Sequence, residues 1–108
     1  MPDESLRKLN DVDRLIHEPA RLAIISILYA VEEADFLYLM HELELSKGNL
    51  SSHLMKLENA GYVKIEKTFQ EKKTRTVCRL TETGRAEFET YLHQMELVVK
   101  YNQTRKKK

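Results

Sequence analysis

Few side chains in this 108-residue chain are spaced for bond-making chemistry. Ser51, Ser52 and His53 are neighbours, but successive helical positions point about 100° apart, so they do not aim at one another. No glycine-flanked nucleophile turn surrounds them. Gly48, Gly61 and Gly84 are too scattered to make a phosphate-cradling loop. His17, His41, His53 and His93 lack paired metal-ligand spacing, and a zinc site needs about three or four N, S or O ligands. Cys78 has Arg79 beside it, which admits a redox-sensing thiol, although a buried structural cysteine is the commoner arrangement. No catalytic residue, metal site or cofactor is expected, and no enzyme. What remains is a chemistry of contact. Lys47, Asn49, Ser51, Ser52 and Lys56 place hydrogen-bond donors, acceptors and positive charge within one short stretch. Such groups suit base edges and phosphates.

That stretch reads as a helix. Ser46 is its expected N-cap, Leu50, Leu54 and Leu57 form one apolar side, and Gly61 stands where a left-handed C′ residue belongs. Gly48, Ser52, Met55 and Asn59 face the other way, flanked by Asn49, Ser51 and Lys56. Upstream, Pro19 opens a helix whose residues from Leu22 to Val31 are apolar almost all round, so it must be covered on several sides. Glu32, Glu33 and Asp35 mark a connection, and Phe36 to Leu45 reads as a short helix through Phe36, Leu39, Met40 and Leu43. Leu6, Leu9, Val12, Leu15 and Ile16 give weaker helical spacing. After Gly61 the period becomes two, with Val63 and Ile65 opposite Tyr62, Lys64 and Glu66. A second strand from Thr76 to Leu80 completes a hairpin whose tip holds Lys72, Lys73 and Arg75. Thr81 then caps a final helix with Phe88, Leu92, Met95 and Val99 in heptad-like spacing, widened by Tyr91 and Val98.

The net charge is only +1, yet it is unevenly distributed. Residues 1–45 carry four basic side chains against ten acidic ones, and residues 46–80 carry eight against three. A basic middle beside an acidic start predicts a localised anion-binding surface. No apolar run approaches the ~18 residues of a membrane span, and the charged start lacks the apolar core of a signal peptide. A single cysteine without a partner argues for a reducing cytoplasm.

Two helices joined around Glu44-Leu45-Ser46-Lys47, with a hairpin behind them, make a winged helix-turn-helix. The stretches Leu45 to Leu54 and Leu57 to Val63 closely resemble the recognition helix and first wing strand of small prokaryotic winged-helix regulators. Leu80-Thr81-Glu82-Thr83-Gly84-Arg85 is similar to the step that leads those proteins from wing to final helix, and His17 to Leu22 resembles their first-helix opening. The resemblance, over roughly residues 15–95, is to arsenical-repressor-like and multiple-antibiotic-resistance-like regulators. It implies a homodimer on a pseudo-palindromic operator. It does not bring the metal site, since Phe36 to Leu45 contains no cysteine.

The expected architecture is α+β, mainly α, in a single domain over residues 1–108. Within it lie an N-terminal extension (1–14), a winged-helix core (15–80), a dimerisation helix (81–101) and a basic tail (102–108). Double-stranded DNA is the expected partner, through Lys47, Asn49, Ser51, Ser52 and Lys56 on the helix and Lys72, Lys73 and Arg75 on the wing. A second copy is the other partner, through Phe88, Tyr91, Leu92, Met95, Val98 and Val99. A protein–protein module on the same fold is the alternative, and it should expose apolar anchors where only Met55 stands. A third reading adds a small-molecule effector between core and dimer helices.

Overall fold

The computed structural model describes residues 6–106. Helix α1, Pro19–Val31, starts at Pro19 because Glu18 caps it, its carboxylate accepting the N–H of Arg21 at 2.8 Å. Ile24, Ile25 and Leu28 of α1 are fully buried, as an all-round apolar helix requires. Strand β1, Glu33–Asp35, leads directly into α2, Phe36–Leu43, whose first turn is capped by Asp35. Glu44, Leu45 and Ser46 turn the chain into α3, Lys47–Asn59. Glu44 adopts a left-handed conformation (φ 53°) there, which lets its N–H reach the carbonyls at the end of α2. Gly61, at φ 82°, releases the chain from α3 into the hairpin of β2, Val63–Gln70, and β3, Lys73–Leu80. The last element is α4, Glu82–Lys106.

The sheet has three strands in the order β1-β3-β2, all antiparallel, where the sequence pattern showed two. The acids that read as a connection are the reason. Glu33 lies opposite Arg79 and pairs with it at 2.9 Å, and Asp35 accepts from Arg75 at 2.8 Å. Only Ala34 of β1 turns inward, so a segment this short has no alternation to detect. The core forms where α1, Leu39 of α2, the three leucines of α3 and Val63, Cys78 and Leu80 of the sheet meet. Cys78 is fully buried, a packed side chain, and that burial, reinforced by the charges of Asp35 and Glu58, pushes its thiol up to about 11.

Helix α4 behaves as two parts. Phe88 and Tyr91 are 2% exposed, covered by their own chain. Phe88 meets the ring of Tyr29 edge-on, and the Tyr91 hydroxyl lies 2.8 Å from Nδ1 of His17. These two residues therefore leave the expected dimer seam: heptad spacing cannot distinguish a partner from the chain's own core. Leu92 and Val99 stay exposed, at 41% and 53%. The helix also runs past Tyr101 to Lys106, so most of the expected basic tail is its last turn, while Lys107 and Lys108 lie outside the described residues. At 25 residues it is about 37 Å long, and the molecule measures 61 × 23 × 22 Å. A radius of gyration of 16.5 Å, against ~13 Å for a compact chain of this length, shows that the far half projects from the domain.

The near half docks through a close backbone approach. Thr81 Oγ1 accepts the N–H of Gly84 at 2.9 Å and lies 2.6 Å from the carbonyl oxygen of Gly61. A Cβ on Gly84 would stand 2.2 Å from the carbonyl oxygen of Tyr62 and 2.9 Å from Leu80 Cδ1. Alanine favours a helix by about 1 kcal/mol over glycine, but a clash with backbone outweighs that gain. Gly84→Ala should thus destabilise by about 1–3 kcal/mol, seen as a lower urea midpoint at unchanged slope. A midpoint equal to or above the parent would contradict the close approach.

Candidate nucleic-acid interface

Burial of Leu50, Leu54 and Leu57 decides which side of α3 meets solvent. Lys47, Gly48, Asn49, Ser51, Ser52, Met55, Lys56 and Asn59 are all exposed, so the structure gathers the five helix residues singled out by sequence onto one outer surface. Among the described residues, none of these five side chains is engaged in a hydrogen bond or ion pair. Ser46 holds the helix start, its Oγ accepting the N–H of Asn49 at 3.1 Å. His53 faces inward instead. Its Nδ1 lies 3.1 Å from Nη1 of Arg21, whose Nε donates to the carbonyl of Leu15 at 2.7 Å. The same ring nitrogen lies 3.9 Å from Oε1 of Glu18. The backbone N–H of Arg21 is what chiefly holds the Glu18 carboxyl below its ordinary value. This cluster ties α3 to α1.

The hairpin has two chemically different faces. Opposed pairs Val63–Leu80, Ile65–Cys78, Lys67–Thr76 and Phe69–Thr74 point to the side of α3, while Lys64–Arg79, Glu66–Val77, Thr68–Arg75 and Gln70–Lys73 point away. On the away side Arg79 meets Glu33 and Glu66, and Arg75 donates to Asp35 at 2.8 Å and to Gln70 at 3.0 Å. Arg75 therefore anchors the wing on the start of α2, while its side chain stays 45% exposed. Desolvation opposes ionisation of Asp35, but the Leu37 N–H and the Arg75 guanidinium prevail and hold that carboxyl below its usual value.

Lys72 and Lys73 are exposed at the turn, and Lys67, which the sequence reading passed over, joins them. Its alternation with Val63 and Ile65 was the available signal. Between α3 and the hairpin lies a crevice of about 410 Å³, bordered by Lys47, Ser51, Met55, Ile65, Lys67 and Thr76. Lys47 on the α3 wall and Lys67 on the hairpin wall thus border a groove beside the outer face of α3, with Glu58 the one acid among its lining residues. Among the described residues no cluster of His, Cys, Asp or Glu is arranged to hold a metal, and no helix is long and apolar enough to cross a membrane.

Comparison with known proteins agrees with this geometry. The winged helix DNA-binding domain family matches residues 20–99. An uncharacterized protein of Methanocaldococcus jannaschii is 33% identical over 82 residues, which span 76% of this chain and 89% of that one. The structure of a transcriptional regulator homologue from Pyrococcus horikoshii superposes with a TM-score of 0.82 at 30% identity, covering 87% of this chain and 95% of the other. A MarR-family transcriptional regulator from Enterococcus faecalis shares the fold, with a TM-score of 0.80 at 20% identity over 94% of this chain and 92% of its own.

Gly48 offers a direct test of the outer face. A Cβ there would meet nothing within 4 Å, so no contact within the described chain asks for glycine. Gly48→Ala should stabilise the fold, by about 0.5–1 kcal/mol from helix propensity, while weakening DNA binding by crowding the surface. Thermal melts and a binding titration read the two effects separately. Equal affinity would show that nothing approaches α3 closely at that point.

Proposed function

This chain belongs to the winged helix DNA-binding domain family, and we propose that it is a sequence-specific transcriptional regulator that grips a pseudo-palindromic operator as a homodimer. The observation that carries the reading is the outer face of α3, exposed and unengaged within the chain, with a basic hairpin beside it. Asn49 and Ser52 are the base readers in this proposal, since an Asn amide can pair bidentately with adenine in the major groove. Lys47, Ser51 and Lys56 hold phosphates, and Lys67, Lys72 and Lys73 reach the adjoining backbone or minor groove.

One helix-turn-helix reads only a few base pairs, which does not discriminate an operator within a genome. Leu92 and Val99, with half-buried Met95 and Val98, supply a seam for a second copy on the projecting part of α4. A two-fold pairing there would set the recognition helices about 34 Å apart, one turn of DNA.

Selection of bound sequences from a random duplex pool tests the first half of this reading and should return an inverted repeat. On that operator Asn49→Ala should cost about 1–3 kcal/mol and relax the preference at one position. Lys56→Ala should weaken all sequences alike and lower the salt slope by about one unit. A pool returned without enrichment would overturn sequence-specific recognition.

The assembly is tested separately by sedimentation at micromolar concentration. The parent protein should be a dimer and the Leu92→Glu, Val99→Glu variant a folded monomer, because both side chains are exposed in the single chain. A parent monomer, or a dimer indifferent to both charges, would remove the seam.

A further inference from the structure

We propose that Phe69 is an apolar reader at the tip of the wing, pressing into the minor groove of bound duplex and selecting a deformable base step flanking the half-site. The inference rests on the DNA-binding reading above and adds to it a residue with a different kind of contact. At 72%, Phe69 is the most exposed of the large apolar side chains described. It stands opposite Thr74, one pair before the turn, on the same side of the hairpin as Ile65 and Lys67 and therefore on the side of α3. Nothing in the fold needs a phenyl ring there, since the core ends at Ile65.

The turn that carries it is unusual for its composition. Gln70 and Lys73 are paired, and the two residues between them, Glu71 and Lys72, have φ of 51° and 65°. This is the geometry of a type I′ turn, which normally uses Asn-Gly because each side chain in the left-handed region costs about 1–2 kcal/mol. A tight turn without glycine keeps Lys72 at the tip and pins the register, so Phe69 stays one pair behind it on the α3 side. An exposed aromatic thus stands near Lys67 on its own side of the hairpin, with Lys72 at the turn and Lys73 on the other face, and with Glu71 the single acid at the turn.

That combination identifies the occupant by its chemistry. A surface that receives it must offer anionic groups around a narrow apolar slot, and the minor groove does so, with phosphates along both rims and sugar and base edges between them. Apolar wedges in that groove partly unstack a base step, most cheaply at TA or CA/TG steps. The wing lies beyond the reach of α3, so such a contact would bias positions that the recognition helix does not read.

The experiment uses the full chain and the operator returned by selection, with affinity measured from about 50 to 200 mM salt. Phe69→Ala should bind roughly tenfold more weakly with an unchanged salt slope, because an apolar contact releases no counterions. Lys73→Ala should instead lower the slope by about one unit. 2-Aminopurine placed at the flanking step should brighten on binding the parent and stay dim with Phe69→Ala, and selection with that variant should lose the flanking preference. Equal affinity and flanking preference in Phe69→Ala would overturn the proposal. So would a weakened variant whose sedimentation also changes while 2-aminopurine stays dim with the parent too, since Phe69 would then contact protein. A parent that enriches no sequence refutes the regulator reading itself, which the Phe69 comparison alone does not touch.

Discussion

Because Leu50, Leu54 and Leu57 are sealed beneath α1 and the sheet, α3 has a single rotational setting about its own axis. Burying each leucine is worth about 1.5–3 kcal/mol, and a rotation by one residue would turn these side chains into water by about 100°. The helix is therefore held by its unreactive side, and the arrangement of Lys47, Asn49, Ser51, Ser52 and Lys56 follows from that clamp. The link from His53 through Arg21 to the Leu15 carbonyl fixes the same helix from a second direction. The exposed polar face of α3 is thus a consequence of core packing. The polar groups need no support from one another, which leaves their donors and acceptors available.

Charge is divided by the same economy of faces. Each exposed ion pair of the sheet contributes at most ~1 kcal/mol to stability, so Arg75–Asp35 and Arg79–Glu33 matter more for where they leave positive charge. They engage the two arginines on the side of the hairpin turned away from α3, where Lys64 and Lys73 stay unpaired among the described residues, and tie the wing to β1 and the cap of α2. Lys67, on the side of α3, and Lys72, at the turn, likewise have no ion-pair partner among the described residues, so unpaired positive charge runs along the hairpin to its tip. An overall charge of +1 conceals this because ten of the 17 acids lie in residues 1–45.

The starts of α1, α3 and α4 and the stop of α3 were legible in the sequence, because a cap is a local event, whereas the ends of α2 at Leu43 and α4 at Lys106 were not. Ser46, Gly61, Thr81 and Pro19 each act within about a turn of their own position, and each does what its residue type implies. What escaped was whatever depends on a partner distant in the chain. Glu33 reads as a chain breaker until Arg79 is placed beside it, and Arg75 reads as a free cation until Asp35 is. Phe88 and Tyr91 satisfy a heptad pattern equally well against a second copy or against Tyr29 and His17, and only the fold decides. Lys67 and Phe69 were within reach of the period-two pattern but stand beyond the apolar residues that made it visible. The outer face of α3 was readable because three leucines fix the helix phase.

The length of α4 connects the two halves of the proposed function. Its first turns are locked to the domain by the Thr81–Gly84 step and by Phe88 and Tyr91, so the projecting part inherits the orientation of the core. An α-helix bends little over about 37 Å without a proline, glycine pair or bulge, and none interrupts α4 beyond Gly84. Any pairing through Leu92 and Val99 would therefore be transmitted rigidly to α3, and the separation of two recognition helices would be set by where along α4 the seam lies. Shifting that seam by one helical turn moves it about 5.4 Å along the helix, a large error against a 34 Å half-site spacing. In such a dimer the docked aromatics become part of the measuring device. They hold the angle at which each copy presents its helix, although they touch neither the DNA nor the second chain.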